Sequence, residues 1–261
     1  MVAVVVAAAL GGAACTGGDD PPPTTAATAP SAPPTTMAVV EDSDAAIDYF
    51  AALASRDPEQ TTVMLTSSSP GSTANDYARH QVAARRILGA DEPGFVEADD
   101  VSAIVCAGPP EPEQDVVCST YEDFAFDPEG RLTGFTVGGE GLASRLSVDG
   151  PPTVVDRITV QHASAYRSPA TETLFVVLDV INESANDFEL FAFAATYRPA
   201  EDEPVVEALG AWGETTLAAG ASGQVLVRFA DAELGGVVNV SGWSDVSVGV
   251  TFVVQLAASN P

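Results

Sequence analysis

The spacing of apolar residues changes character several times along this chain. Val2 to Leu10 is a short, nearly unbroken apolar run, and residues 16–42 then carry almost no large apolar side chain. From residue 43 the apolar positions recur at helical spacing. Ser43 or Asp44 can cap a helix that places Ile47, Phe50, Leu53 and Ala54 on one face. Asp57-Pro58 restarts a short second helix, with Asp57 as cap, Pro58 at its first position and Val63, Met64 and Leu65 as its apolar side. After the loop Ser67 to Thr73, a third helix is expected from about Asn75. Tyr77, Val82, Ile87 and Leu88 lie on its inner face, and Arg79, Arg85 and Arg86 lie outside it.

From Val101 the period becomes two. Val101 to Cys106, Asp115 to Phe126 and Arg131 to Val137 read as strands, and Asp127-Pro-Glu-Gly130 is the turn between the last two. Strict alternation puts Tyr121 and Asp123 on one face, opposite Glu122, Phe124 and Phe126. The pattern shifts again at Gly150-Pro151-Pro152. Beyond it, Val154 to His162, Thr171 to Asn182, Asp187 to Arg198, Ala221 to Phe229 and Val246 to Leu256 read as strands, with one helical turn at Asp231 to Leu234. The expected architecture is an α+β domain over residues 43–149, followed by an all-β sandwich over residues 150–261. About 220 residues follow position 42, enough for two small cores.

The segment 16–42 is dominated by Pro, Thr, Ala and Ser, a composition expected to stay disordered. As a tether it would reach roughly 80 Å if extended as polyproline and nearer 30 Å as a coil. Charge adds a further bound. The chain has 37 acidic and 10 basic residues, every basic one Arg, for a net charge of −27. A nucleic-acid partner needs clustered cations and is excluded on this balance. Anionic lipid surfaces are repelled too. The surplus reads as a solubilising, salt-adapted surface, with a dedicated cation-binding surface as the alternative.

The run Val2 to Leu10, followed by Gly12-Ala13-Ala14 and Cys15, resembles the lipobox of bacterial lipoproteins. The resemblance implies a signal peptide over residues 1–14, a lipidated Cys15 and a linker over residues 15–42. The protein would then be extracytoplasmic, held to the cell membrane by its acyl anchor alone. The apolar run is too short to span a bilayer. Met1-Val2 carries no Lys or Arg, which points to a start further upstream. A buried apolar strand with an ordinary thiol at Cys15 is the alternative.

With Cys15 assigned to lipid, Cys106 and Cys118 remain as a pair in an oxidising compartment. They flank the Pro-rich loop 107–115. A disulfide there closes a loop of about 13 residues, worth roughly 3 kcal/mol. A metal site would need three or four ligands, and no His or third Cys lies nearby.

The segments Ser69-Pro-Gly-Ser, Tyr77-Ala-Arg-His-Gln and Phe124-Ala-Phe-Asp-Pro-Glu-Gly-Arg-Leu-Thr-Gly-Phe resemble NTF2-like lipoprotein domains of high-GC Gram-positive bacteria. That resemblance implies a curved sheet around helices with a cone-shaped cavity, used by some members for isomerase or dehydratase chemistry. Tyr121, Asp123 and His80 are the titratable candidates it points to, although His80 sits in an Arg-rich helix where a solvated side chain is expected. Phe50, Phe124, Phe126 and Phe135 would line such a cavity or fill a core. In the second half, Leu174 to Ser184 and Leu217 to Phe229 resemble the immunoglobulin-like sandwiches common on bacterial lipoproteins.

Trp212 and Trp243 are expected as large core anchors, with Trp212 the candidate for partner contact. Glu201-Asp202-Glu203 reads as a solvated turn, and Gly138-Gly-Glu-Gly141 lacks the Lys-Ser/Thr of a phosphate loop. No cofactor, metal or catalytic set is implied. The resulting expectation is a non-catalytic interaction module for an envelope protein or glycan. A carrier or sensor of a small apolar ligand in the first domain, or a small NTF2-like enzyme, are the alternatives.

Overall fold

Ser43–Ser55 forms α1, whose buried face is Ala46, Tyr49, Phe50, Leu53 and Ala54. Ile47 is 39% exposed, so the inner face is centred on Tyr49 and not on Ile47. Asp57 caps α2, Pro58–Thr61, by accepting from the backbone N–H groups of Glu59 and Gln60, with Pro58 in the first turn where no N–H is needed. Val63–Ser67 forms α3, which buries Met64. Ser72 caps α4, Thr73–Leu88, through the N–H of Asn75, and Gly89 ends it at φ 83°. This computed structural model describes residues 43–99, 101–107, 116–200, 202–244 and 247–256. The expected signal peptide, Cys15 and tether lie outside the described residues, as do loop positions 108–115 and Glu201 of the acidic turn.

A five-stranded antiparallel meander follows: β1 (Phe95–Ala98), β2 (Ser102–Cys106), β3 (Cys118–Phe126), β4 (Leu132–Val137) and β5 (Glu140–Gly141). The turn from β3 to β4 is the expected one at Asp127–Gly130. The Gly130 N–H donates to the Asp127 carbonyl, and the Asp127 carboxylate accepts from the backbone of Glu129 and Arg131. Cys106 and Cys118 face each other across β2 and β3 and are joined by a disulfide.

Strict alternation fails in β3. A bulge interrupts its pairing with β4 between Glu122 and Ala125, and Asp123 adopts φ 56°. The extra residue shifts the phase of the strand, so Tyr121, Phe124 and Phe126 all turn inward while Asp123 turns out. Tyr121 and Asp123 therefore do not share a face, contrary to the reading from sequence. Thr136 Oγ1 donates to the exposed Asp123 carboxylate at 3.1 Å.

The second sheet begins before Gly150. It comprises β6 (Leu146–Val148), β7 (Thr153–Val155), β8 (Ile158–Arg167), β9 (Leu174–Asn182), β10 (Phe188–Leu190), β11 (Thr196–Arg198), β12 (Val206–Gly213), β13 (Thr216–Leu217), β14 (Ser222–Phe229), β15 (Val237–Ser244) and β16 (Ser247–Gln255). β12 pairs with β11 at its start and with β14 from Ala208 onward, its register shifting between Ala208 and Gly210. The ladder thus folds into two layers with a sandwich-like core. Val176, Leu178, Val225 and Val227 come from one layer; Phe188, Val240, Phe252 and Val254 come from the other. Burying each such side chain contributes roughly 1.5–3 kcal/mol.

β6 pairs with β8 along Leu146–Val148, so the second sheet takes in residues ahead of the Gly150-Pro151-Pro152 break. All described residues fall within one compact unit. The join is built by α4. One side of that helix packs on the first sheet through Tyr77 and Phe135, and another packs on the outer face of β8, β9 and β14. There Ala84, Val177 and Leu226 form a small core, with Phe175 and Trp212 against it.

Candidate functional site

Where α4, the first sheet and the second sheet meet, they leave a partly open cavity of ≈ 360 Å³. Its buried floor is aromatic: Tyr77 from α4, Tyr121 from β3 and Tyr166 from β8, with His80 beside them. The ring centroids of Tyr77 and Tyr166 are 4.8 Å apart, and the hydroxyls of Tyr77 and Tyr121 are 3.4 Å apart. Burial pushes all three phenols above their ordinary range, so they stay protonated and able to donate. Leu53, Ala54, Ala84, Val105 and Phe175 supply apolar wall, and Leu88, Val117 and Thr171 stand at the exposed rim. The disulfide reaches the wall through Cys106.

His80 is 2% exposed, which corrects the expectation of a solvated side chain in an Arg-rich helix. The covering surface is the second sheet, which helical periodicity alone does not reveal. His80 Nδ1 and Ser164 Oγ of β8 share a hydrogen bond at 2.9 Å. Desolvation, with the nearby His162 adding to it, pushes the His80 pKa down to about 3. His162 is fully buried on β8, and desolvation pushes its pKa down to about 4 against opposing pulls from Asp149 and the Ser147 backbone. Among the described residues, neither ring nitrogen of His162 has a well-aligned hydrogen-bond partner, although the Ser147 backbone lies near enough to favour the charged form. Both imidazoles are therefore neutral at physiological pH.

Arg56 and Arg85 also line the cavity. Arg56 is held by Asp91 at 3.0 Å and donates to the Glu92 carbonyl. Arg85, half-buried, has no ion-pair partner among the described residues. Burial and the neighbouring Arg56 cation lower its pKa.

The phenylalanines expected at a cavity are placed differently. Phe50 stacks on Phe124 at 5.1 Å between centroids and packs edge-on against Phe135 at 5.4 Å. Phe126 lies against the same core. These four rings fill the space between α1 and the first sheet, and the cavity lies beyond them, behind the tyrosines. Of the titratable residues singled out in the sequence, Tyr121 and His80 meet in the cavity while Asp123 is solvent-facing on its bulge.

The two tryptophans also divide. Trp212 is half-buried, with the Arg228 guanidinium 4.5 Å over its ring. Trp243, expected in the core, is 52% exposed and donates its indole N–H to Glu189. Phe191 and the 70% exposed Phe193 lie beside it, making an aromatic patch on the outside of the second sheet. Sequence reasoning missed Tyr77, Tyr166 and Arg85 as neighbours. They come from separate elements, and no spacing along the chain connects them.

Among the described residues, no group of three His, Cys, Asp or Glu side chains comes together as a metal site. No described helix is long and apolar enough to cross a membrane. No protein-family model matches this chain, and comparison with curated proteins finds no significant match.

Proposed function

We propose that this protein is an extracytoplasmic, lipid-anchored binding protein that holds a small ligand in the cavity between α4 and the two sheets. The observation that carries the reading is the cavity itself. Its volume falls at the lower end of the range for drug-sized ligands, and its lining is mostly apolar with a few convergent donors. Helices preceding an antiparallel meander, with a cavity beside them, support an NTF2-like reading of the first part. The sandwich-like second part supports an immunoglobulin-like one. The lipobox resemblance at Cys15 supplies the location.

Catalysis is not part of this reading. The neutral His80 is engaged by Ser164, and Asp123, another of the titratable candidates, is exposed and does not line the cavity. A Ser119→Phe variant tests the function directly, because Ser119 lines the cavity on the strand that carries Tyr121. Native mass spectrometry of the full chain drawn from its own envelope should show a bound small molecule on the wild type and none on the variant. Equal retention by both would reject the cavity as the binding site.

A second reading rests on the Phe191, Phe193 and Trp243 patch, which suits contact with an envelope protein or glycan. Crosslinking in the envelope through a photoreactive residue at position 193 should yield one dominant adduct. Diffuse labelling would set that reading aside.

A further inference from the structure

We propose that the cavity selects an organic anion, an apolar body carrying one carboxylate- or sulfonate-type group, and that Arg85 receives the charge. The inference rests on the binding function proposed above and specifies its ligand class. The charge distribution points to it. The chain has 37 acidic residues against 10 basic, yet among the described residues no Asp or Glu lines the cavity while two Arg do. Asp91 pairs with Arg56 at 3.0 Å and acts on Arg85 only from farther off, so among the described residues Arg85 has no ion pair of its own. Among the described residues, two guanidinium groups are therefore set against one carboxylate at this wall, in a protein of net charge −27.

An unpaired, half-buried cation is costly unless something compensates it. Solvent and the Asp91 carboxylate do so only in part here, since burial still depresses the Arg85 pKa. A bound anion would supply the missing partner in a bidentate geometry that suits guanidinium. The remaining lining fits the rest of such a ligand. Leu53, Ala84, Val105 and Phe175 offer apolar contact, and of the bonded hydroxyls of Tyr77 and Tyr121 the one that accepts from the other keeps its own proton free to donate to a second oxygen deeper in the floor. The surrounding acidic surface would exclude such an anion by long-range repulsion, so the attraction must be local to the cavity.

Two fluorescent probes separate the charge from the apolar body: 1-anilinonaphthalene-8-sulfonate and N-phenyl-1-naphthylamine, which differ only in the sulfonate. Titrated into the full chain, the sulfonate should bind at least tenfold more tightly than its neutral counterpart. Arg85→Gln should abolish that preference while leaving the neutral probe's affinity within about twofold, which also reports that the cavity is still folded. Arg85→Lys should keep most of the preference. Equal affinities in the wild type, or a preference that survives Arg85→Gln, would overturn the anion assignment and leave the cavity as a neutral-ligand site. If Ser119→Phe leaves the binding of both probes unchanged, the cavity reading falls and the anion assignment falls with it.

Discussion

Lowering the pH from 7 to 5 should cost this protein about 4 kcal/mol of stability, and two buried histidines set the amount. Their folded pKa values are about 3 for His80 and about 4 for His162, against about 6.5 in an unfolded chain. Below pH 6.5 the unfolded state takes up protons that the folded state refuses, so acid favours unfolding. The stabilisation is fully present above pH 6.5 and is lost as the pH falls toward the folded values. At pH 5 each histidine has given up about 2 kcal/mol, which together is a large share of the roughly 5–15 kcal/mol typical of a folded domain. Ordinary carboxylates, with pKa near 4, remain largely ionised across this window, so relief of the −27 charge acts mainly below it. Urea unfolding followed by tryptophan fluorescence at pH 7, 6 and 5 reads the loss. His162→Leu separates the two contributions. It removes ring nitrogens that have no well-aligned hydrogen-bond partner among the described residues, so it should be at least as stable as the wild type at pH 7 and lose only about 2 kcal/mol by pH 5. A wild type that loses less than about 1 kcal/mol over this range would refute the argument. So would a His162→Leu variant that keeps the full wild-type slope.

Replacing Cys106 and Cys118 by Ser should lower stability by roughly 3 kcal/mol, since the bond closes a 12-residue separation. By calorimetry that corresponds to a fall in Tm of about 6–12 °C for a chain of this size, and an unchanged Tm would contradict it. Gly213→Ala should cost about 3 kcal/mol, because at φ 112° its new Cβ would lie 2.3 Å from the Gln224 carbonyl oxygen. Gly139→Ala, at φ 80° with open space around it, should cost only about 1 kcal/mol, and equal urea midpoints for the two variants would reject this steric account.

What the chain reveals about itself divides along local and long-range lines. The Asp57-Pro58 restart, the Asp127–Gly130 turn and the Cys106–Cys118 pair depend on residues near one another in sequence, and all three stand in the structure. Asp123 marks where local reasoning fails. An alternation rule assumes uninterrupted pairing. The signal sat in the residues themselves: Tyr121, Phe124 and Phe126 cannot all face one way on an ideal strand, and a bulge at Asp123 resolves the conflict between them.

The helix α4 carries the same lesson over a longer range. Its wheel suggested one buried face and an outer, charged one, which left His80 in water and Arg85 on the surface. The missing information was in β9. Leu174 to Ile181 is apolar at nearly every position, where a strand covered on one side only should alternate. Leu174, Val176 and Leu178 enter the sandwich-like core, and Phe175 and Val177 pack toward α4. A strand that apolar needs a cover on both faces, and α4 is the amphipathic element left to provide it. Once that cover is in place, Tyr77, Tyr121 and Tyr166 are drawn from a helix and two sheets into one floor. Arg85 is then left at the wall of a cavity that no single segment of the chain encodes. The site is a product of the junction, so truncating Val177, which packs toward α4 from the outer face of β9 without lining the cavity, should alter probe binding as surely as changes to the tyrosines.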